Sequence, residues 1–252
     1  MVWHRSKAGE VLAIDIGATT IKFCRVDRTG TMLETPKRRS TPYPCTPERL
    51  VSLLAARIAE GSNPRVGVGF PGEFADGHVV RPGNLSRPGG VTTEVDPGLA
   101  AKWIGFPLEK ALRDASGSDV RVVNDARLAA LGCCDGHGVE LVVTLGTGVG
   151  LSMVRDGAAV RVRDVGAAEF LDGRTYDQCL GERARSEDPV AWFALLEKAL
   201  RGFADEFGAA TIHLAGGNAK RVAPEGFSEL PFVVKVHGNE APLQGSAKLF
   251  YP

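Results

Sequence analysis

The sequence lacks an excess of charge of either sign, because its 30 Lys and Arg residues balance its 30 Asp and Glu residues. It therefore has no overall positive field that would hold nucleic acid or an anionic membrane by charge alone. It also lacks any run approaching the roughly 20 apolar residues that a membrane-spanning helix needs, and its first ten residues lack the apolar segment of a signal peptide. We therefore expect a cytoplasmic protein with small-molecule partners and with neither nucleic acid nor membrane among them.

Cysteine and histidine are scarce and scattered. The five cysteines show no CxxC spacing, and none of the five histidines is spaced with cysteine or acidic residues as in a zinc-binding motif. These features predict reduced, mostly buried thiols and no structural zinc.

The chain has enough hydrophobic residues, 44% of 252, for a large domain or two closely packed halves. It opens with three apolar runs separated by turns, VLAIDIG, IKFCRVD and TMLETPK, which predict a β-meander. Farther along, helical and strand patterns alternate, and the stretch from Gly72 to Trp103 is irregular and rich in Pro and Gly. We interpret that stretch as one wall of a cleft in a mixed α/β protein.

Three glycine-rich turns follow apolar strands. They are DIGATTIK from Asp15 to Lys22, LGTGVG from Leu145 to Gly150, and LAGGNAK from Leu214 to Lys220. Backbone N–H groups approach a phosphate closely where no Cβ intervenes, so these turns suit phosphate binding, and Asp15 would hold Mg²⁺ through water. Each glycine also fits a simpler role, in which it only permits a hairpin or the start of a helix.

The element Val123-Asn124-Asp125-Ala126 lies where a strand pattern ends and a helix pattern begins. A carboxylate at this point would face a cleft and act as a base. The alternative is that Asp125 is the N-cap of the helix.

The order of these elements along the chain is more specific evidence of function than any one of them. DxGxTxxK is followed by NDA, LGTGxG, AGGN and a small-residue segment from Pro242 to Ala247. This order resembles the signature of the actin, heat-shock chaperone and sugar kinase superfamily, and within it the ROK family, nearest the polyphosphate glucokinases. The resemblance runs from Val11 to about Phe250. It implies a two-domain actin-like ATPase (ribonuclease H-like) fold, with mixed sheets flanked by helices, an interdomain cleft, and domains at 1–125 and 126–252.

The resemblance also implies a role for each motif residue. Asp125 would be the catalytic base of a sugar kinase, and Asn84, Asn124 and Gly72 would line the sugar site. Donor phosphates and the nucleoside would be bound by a larger set: Asp15, Gly17, Thr19, Thr20, Lys22, Gly146, Thr147, Gly148, Gly216, Gly217 and Asn218. The implied cofactors are Mg²⁺ with ATP or polyphosphate as donor, and the implied assembly is a homodimer.

The sequence departs from the family pattern at the Glu-x-Gly-His motif, where it has Asp164-Val165-Gly166-Ala167. A shifted alignment gives the acidic role to Glu169. Losing one hydrogen bond costs roughly 0.5 to 3 kcal/mol, whereas losing a general base costs about 10² to 10⁴ in rate. Because Asp125 is present, the departure favours altered sugar specificity over lost catalysis. The Cys-rich zinc motif of many family members is absent as well.

Three functions stay open from the sequence. The first is a hexose-like sugar kinase. The second is a non-catalytic ROK-fold protein that binds sugar or nucleotide or acts as a regulator, and the third is an actin-like ATPase that activates another substrate. Two short basic runs, Lys37 to Arg39 and the group Arg155, Arg161 and Arg163, fit either a polyphosphate groove or solvated surface charge.

Overall fold

A computed structural model describes residues 9–61, 64–160, 162–163 and 165–251. The chain divides into two compact units. The first unit contains the described residues up to 128 together with those from 242 onward, and the second contains residues 129–241.

The first unit is built on one five-stranded sheet. Its strands are β1 (Val11–Ile16), β2 (Thr20–Val26), β3 (Lys37–Ser40), β4 (Arg65–Phe70), β5 (Glu73–Ala75), β6 (His78–Arg81) and β7 (Asp119–Asn124), and its helices are α1 (Pro47–Ala59), α2 (Pro97–Trp103), α3 (Leu108–Ser116) and the start of α4 (Asp125–Cys133). The sheet order is β3-β2-β1-β4-β7, and β5 pairs with β6 in a separate hairpin. Strands β1, β4 and β7 run parallel, so their carboxyl ends lie at the same edge.

Local sequence explains these elements. All six residues of β1 are buried, as expected for a central strand covered on both faces. Helix α1 begins where the Thr46 side chain accepts a hydrogen bond from the Arg49 N–H, and its leucine and isoleucine residues face the core. The C-terminal segment from Pro242 packs on the opposite side of the sheet, where Leu243 and Ala247 contact Val11 and Ala13.

The second unit has its own sheet and core. Its strands are β8 (Val139–Leu145), β9 (Val149–Arg155), β10 (Ala158–Val160), β11 (Glu169–Leu171), β12 (Arg174–Thr175), β13 (Thr211–Ala215) and β14 (Val233–Val236), and its helices are the rest of α4, then α5 (Tyr176–Leu180), α6 (Glu182–Glu187) and α7 (Pro189–Phe207), with α8 (Ala241–Gly245) beginning at its last residue. The sheet order is β10-β9-β8-β13-β14.

Both large sheets follow the same plan. In each, an antiparallel meander of three strands is extended by two parallel strands next to its first strand. The predicted mixed α/β architecture with two sheet-centred halves is confirmed at this level. The sequence shows no repeat that would announce the shared topology.

Two details of the sequence prediction are wrong. The third strand of the first meander is Lys37–Ser40 rather than TMLETPK, because Pro36 has no N–H to donate and only Met32 forms an isolated bridge to β2. The segment from 72 to 103 is also less irregular than expected, since it contains the β5–β6 hairpin, two 3-10 helices and α2. All five cysteines are reduced and buried, as predicted. Among the described residues, no helix combines the length and apolar character needed to cross a bilayer.

The contact between Gly67 and Ser246 offers a test of how the C-terminal segment is held. A Cβ at Gly67 would lie 2.8 Å from the Ser246 Cβ, and Ser246 is fully buried. We expect Gly67→Ala to lower the free energy of unfolding by about 1 to 3 kcal/mol through overpacking. Adding Ser246→Gly should recover part of that loss, as measured by denaturant unfolding of the single and double variants.

Gly202→Ala is the matched control, because Gly202 lies inside α7 and a Cβ there would meet nothing within 4 Å. It should stabilise by about 0.5 to 1 kcal/mol. Equal destabilisation by both glycine substitutions, or strict additivity of the Gly67 and Ser246 changes, would contradict the packing described.

Candidate active site

The described residues that the sequence singles out fall into two groups, one in each unit. The first unit holds Asp15, Gly17, Thr19, Thr20, Lys22, Gly72, Asn84, Asn124 and Asp125. The second unit holds Gly146, Thr147, Gly148, Glu169, Gly216, Gly217 and Asn218. Asp164 and Arg161 lie outside the described residues.

Asp15 is a buried carboxylate near the end of the central strand β1. Its residue exposure is 7%, and the Lys22 Nζ donates to its Oδ2 over 2.9 Å. Lys22 stands directly opposite Asp15 in the antiparallel register of β1 and β2. The DxGxTxxK spacing therefore produces a cross-strand ion pair at the base of the first glycine turn.

Gly69 makes room for a second carboxylate. It pairs with Asp15 on one side and with Val123 on the other in the parallel register. A Cβ at Gly69 would lie 3.4 Å from the Asp125 Cα and 3.1 Å from the Leu128 Cδ2. The missing side chain thus allows the start of α4 to approach the sheet closely, and it places Asp125 at the edge where Asp15 ends its strand.

Asp125 carries a perturbed carboxyl group. Burial raises its pKa to about 7, and repulsion from the Asp15 carboxylate adds to the rise. Its Oδ1 accepts hydrogen bonds from the Ala126 N–H at 2.8 Å and from the Asn124 amide at 3.1 Å. Among the described residues Oδ2 has no hydrogen-bond partner. Asp125 therefore presents one oxygen that is able to gain or lose a proton near neutral pH.

Asn124, and not Asp125, caps the helix. Its Oδ1 accepts from the Arg127 N–H at 3.1 Å, and its Nδ2 donates to the Gly72 carbonyl at 2.8 Å. This arrangement leaves Asp125 free of the capping role that the sequence alone allowed. It also gives Asn124 a positioning role, while its contact with a sugar stays a prediction.

Gly72 and the segment of Asn84 lie against each other. A Cβ at Gly72 would lie 2.2 Å from the Arg81 carbonyl oxygen, and one at Gly83 would lie 2.1 Å from the Pro71 carbonyl oxygen. Both positions therefore require glycine. The half-buried Asn84 follows in the 3-10 helix Gly83–Ser86, so one chain of contacts connects it through Gly72 to Asn124 and Asp125.

The first glycine turn is buttressed by two residues that sequence reasoning missed. The Thr41 hydroxyl donates to the Gly17 carbonyl at 2.7 Å, and the Tyr43 hydroxyl donates to the Ala18 carbonyl at 2.6 Å. The Thr41 N–H also donates to the Thr19 carbonyl. These bonds occupy carbonyl oxygens behind the turn. The Thr19 side chain itself is exposed.

In the second unit the other two glycine turns lie side by side. The Asn218 N–H donates to the Leu145 carbonyl at 3.0 Å, and its side-chain amide donates to the Gly146 carbonyl at 3.1 Å. Gly216 has φ +92°, and a Cβ there would lie 2.4 Å from the Leu145 carbonyl oxygen. The structure thus brings together two motifs that are about 70 residues apart in the sequence, and Asn218 is the link between them.

Two acidic residues beside these turns were also missed. The Asp177 carboxylate accepts from the Val149 N–H at 2.7 Å and would clash with a Cβ at Gly148 or Gly166. Glu182 is the first residue of α6, and its N–H donates to the Gly146 carbonyl. Its carboxylate accepts from and is ion-paired with Arg185, which lowers the pKa of the Glu182 carboxyl to about 2. Neither residue belongs to one of the three glycine-rich turns, so only the fold reveals them. Glu169 lies exposed on β11, where it accepts from the Gly173 N–H, and its predicted contact with a sugar stays a prediction.

The donor set at the first unit's site fits a magnesium ion. Asp15 and Asp125 both offer carboxylate oxygens, and the repulsion between them is one that a bound cation would relieve. Because Lys22 already occupies Asp15 Oδ2, a metal would contact Asp15 through its other oxygen or through water.

Comparison with known proteins connects this geometry to a family. The model of the ROK family matches residues 11–169. Glucokinase from Streptomyces coelicolor is 32% identical over 167 residues, which are 64% of this chain and 49% of that protein. Polyphosphate glucokinase from Mycobacterium tuberculosis is 26% identical over 166 residues, 62% of this chain and 57% of that protein. The chain thus spans about half the length of the curated relatives it matches.

Solved structures extend the likeness over nearly the whole chain. The inorganic polyphosphate/ATP-glucomannokinase from Arthrobacter sp. strain KM has a TM-score of 0.74 and 30% identity, with 96% of this chain and 98% of that chain covered. A glucokinase of Streptomyces griseus, solved with glucose and AMPPNP, has a TM-score of 0.66 and 22% identity, with 96% and 99% covered, and shows the fold alone. The predicted actin-like ATPase fold and the resemblance to polyphosphate glucokinases are therefore confirmed.

The raised pKa of Asp125 predicts a pH-dependent stability. Below about pH 4 the carboxyl is protonated in the folded and the unfolded chain alike, so its contribution is fully present. Between about pH 4 and 7 the unfolded chain ionises this carboxyl while the folded protein, in which it is half-buried beside Asp15, keeps the proton. The contribution is therefore lost progressively and is gone once the pH has risen through about 7. Asp125→Asn should therefore stabilise the protein at pH 8 by about 2 to 4 kcal/mol, from 1.36 kcal/mol per pKa unit, and should have little effect at pH 4.

The measurement is urea unfolding from pH 4 to 8. Asp119→Asn is the control, because Asp119 is exposed at the start of β7, the strand that leads to Asp125; this variant should follow the wild type at every pH. The burial described for Asp125 would be wrong if its Asn variant also followed the wild type.

Proposed function

The chain belongs to the ROK family, and from that premise we propose that it is a sugar kinase that transfers a phosphoryl group from ATP or polyphosphate to a hydroxyl of a hexose-like sugar. The single observation that carries this proposal is the carboxyl of Asp125, which has a pKa of about 7 and one oxygen without a hydrogen-bond partner among the described residues. A general base works best when its pKa lies near the operating pH.

In this proposal Asp125 Oδ2 accepts the proton of the sugar hydroxyl as the oxygen of that hydroxyl bonds to the terminal phosphorus of the donor. The bond from that phosphorus to the bridging oxygen breaks at the same time, and ADP or the shortened polyphosphate leaves. Asn124 fixes the carboxylate by donating to its Oδ1, and the Gly72 carbonyl in turn fixes Asn124. Asn84, which is connected to this set through Gly72, would bind a neighbouring hydroxyl. Phosphoryl transfer asks little more of a protein than such positioning and the neutralisation of charge.

The donor would be held by the glycine turns. Gly17, Thr19, Thr20 and Lys22 would face its phosphates in the first unit, and Gly146, Thr147 and Gly148 would do so in the second. Gly216, Gly217 and Asn218 would receive a nucleoside. Mg²⁺, held by Asp15 through water, would supply positive charge to the donor oxygens. The proposed division of the chain stays at 1–125 for the domain with the first phosphate loop and the sugar-facing wall, and at 126–252 for the domain with the second phosphate loop and the nucleotide site.

Sugar specificity is proposed to differ from that of the usual family member. Ala167 is exposed and stands where the family motif has histidine, so one hydrogen bond to the sugar is missing. Asp164 and Glu169 are the proposed acidic partners. The proposal includes both ATP and polyphosphate as phosphoryl donors, because the similar protein from Arthrobacter is named as a polyphosphate/ATP-glucomannokinase. We further propose a cytoplasmic location, a homodimer, and no nucleic-acid or membrane partner.

Ala167 also favours a second candidate, a ROK-fold protein that binds sugar or nucleotide without turnover. A ROK family transcriptional regulator is among the similar folds, with a TM-score of 0.65 at 15% identity. The two candidates differ in one measurable respect, since only the kinase forms a phosphorylated sugar that depends on Asp125.

Kinetics of Asp125→Asn test the proposal. A coupled assay over a sugar panel, with ATP and with polyphosphate, should give turnover in the wild type and a loss of about 10² to 10⁴ in kcat/KM in the variant. Sugar affinity measured by calorimetry should change little, because Asn keeps the shape of the side chain. In the wild type, kcat/KM should rise from acid to alkaline pH with a midpoint near 7.

Asp119→Asn again serves as the control and should keep full activity. Binding of a sugar without product in the wild type would favour the regulator. Turnover that survives in Asp125→Asn would remove Asp125 from the role of base.

A further inference from the structure

A second cluster of reactive side chains lies in the second unit and is not used by the proposed kinase chemistry. The ligand atoms of Cys134, Glu140 and His213 all lie within 4.8 Å of one another. The three residues are 4%, 2% and 0% exposed. They come from the residue after α4, from β8 and from β13, so three separate elements converge on one buried point.

Glu140 is the centre of this cluster. His213 Nε2 lies 2.8 Å from its Oε2, and the same carboxylate accepts the N–H groups of Asp135, Gly136 and His137. These bonds lower the pKa of the Glu140 carboxyl and keep it anionic. A buried carboxylate that is held so firmly offers a fixed oxygen ligand.

His213 is held at both ring nitrogens. Its Nδ1 lies 2.8 Å from the Nε2 of the half-buried His237, on the loop after β14. Because the Glu140 carboxylate can only accept, the Nε2–H of His213 donates to it and the Nδ1 of His213 accepts from His237. With Nδ1 bonded to His237, the Nε2 of His213 is directed toward Glu140 and Cys134. Histidines that bind metals are commonly oriented in this way by a partner on the other nitrogen.

The donor types select the ion. Sulfur, imidazole nitrogen and carboxylate oxygen together suit a borderline-soft ion with tetrahedral geometry, whereas Mg²⁺ and Ca²⁺ prefer oxygen alone. Two ligand atoms must be freed of a proton before they bind the ion, namely the Cys134 thiol and the His213 Nε2, which donates to Glu140.

We propose that Cys134, Glu140 and His213 form a binding site for one Zn²⁺-class ion, with water completing the tetrahedron and His237 orienting His213. On binding, the Zn–S bond replaces the S–H bond of Cys134, and that proton passes to solvent. His213 releases to solvent the Nε2 proton that it donates to Glu140, and its Nδ1 takes the Nε2 proton of His237. His237 takes up a proton from solvent at its own Nδ1, so the two imidazoles change tautomer without changing charge, and the Nδ1–H of His213 then donates to the Nε2 of His237. The ion would tie the end of α4 to β8 and β13, which carry the second and third glycine turns.

The sequence predicted no structural zinc, and spacing could not have revealed this site. Cys134 and Glu140 are close along the chain, but His213 arrives only because β13 pairs in parallel with β8. The Cys-rich motif of other family members plays no part in it. The proposal therefore stands independently of the kinase assignment.

Cobalt binding tests the site directly, because a thiolate ligand gives Co²⁺ a charge-transfer absorption band that nitrogen and oxygen ligands do not give. The whole chain is freed of metal, kept in excess Mg²⁺ to occupy the oxygen-only sites, and titrated with Co²⁺ and then with Zn²⁺ in competition. We expect one Co²⁺ per chain with the thiolate band, displacement by Zn²⁺, and about one proton released per ion.

Cys134→Ser should abolish the band and weaken Zn²⁺ binding by at least about tenfold. Loss of a residue that only hydrogen-bonds to a metal ligand already costs about 10- to 100-fold in affinity, so loss of a ligand should cost no less. Cys133→Ser is the matched control, since Cys133 is adjacent and equally buried; it should keep both the band and the affinity. His213→Gln gives a second ligand variant, and circular dichroism checks that each variant folds.

The wild-type titration needs no variant and is decisive by itself. Cobalt binding without a thiolate band would place the ion on exposed histidines and overturn the proposal. A band that persists in Cys134→Ser would overturn it as well.

Discussion

The first unit's site depends on the repulsion between two carboxylates at the shared carboxyl edge of three parallel strands. Asp15 lies near the end of the central strand, Asp125 begins a helix two strands away, and Gly69 between them has no side chain to keep them apart. Lys22 neutralises only one of the pair. The remaining charge on Asp125 is costly, which is why its pKa rises to about 7. A group that costs stability when charged is well suited to hold a proton during catalysis.

The surrounding hydrogen bonds leave Asp125 available for proton transfer. Asn124 takes over the capping of α4, so Asp125 is released from a structural task and keeps one oxygen without a partner among the described residues. Glycines at 72 and 83 bring the Asn84 segment against this pair. In the second unit, Asn218 performs a comparable task by joining two glycine turns through the backbone of the second. Both sites are therefore assembled from close backbone contacts that only glycine permits.

The sequence predicts what is local. The turns after β1, β8 and β13 follow from apolar runs ending in glycine, and the helix after Asn124 follows from its position at a strand end. What depends on contacts distant in sequence escaped prediction: the buttress of Thr41 and Tyr43, the placement of Asp177 under Gly148, and the convergence of Cys134, Glu140 and His213. The third strand begins at Lys37 because Pro36 has no backbone N–H to donate to the neighbouring strand. Which of Asn124 and Asp125 caps the helix could be decided only by hydrogen-bond geometry.

An NMR titration of the Asp125 side-chain carboxyl carbon, in the wild type and in Asp15→Asn, measures the effect of this repulsion directly. We expect a midpoint near pH 7 in the wild type, and a lower midpoint once the neighbouring charge is removed. A wild-type midpoint near the ordinary value of about 4 would contradict it, because Asp125 would then be neither desolvated nor coupled to Asp15.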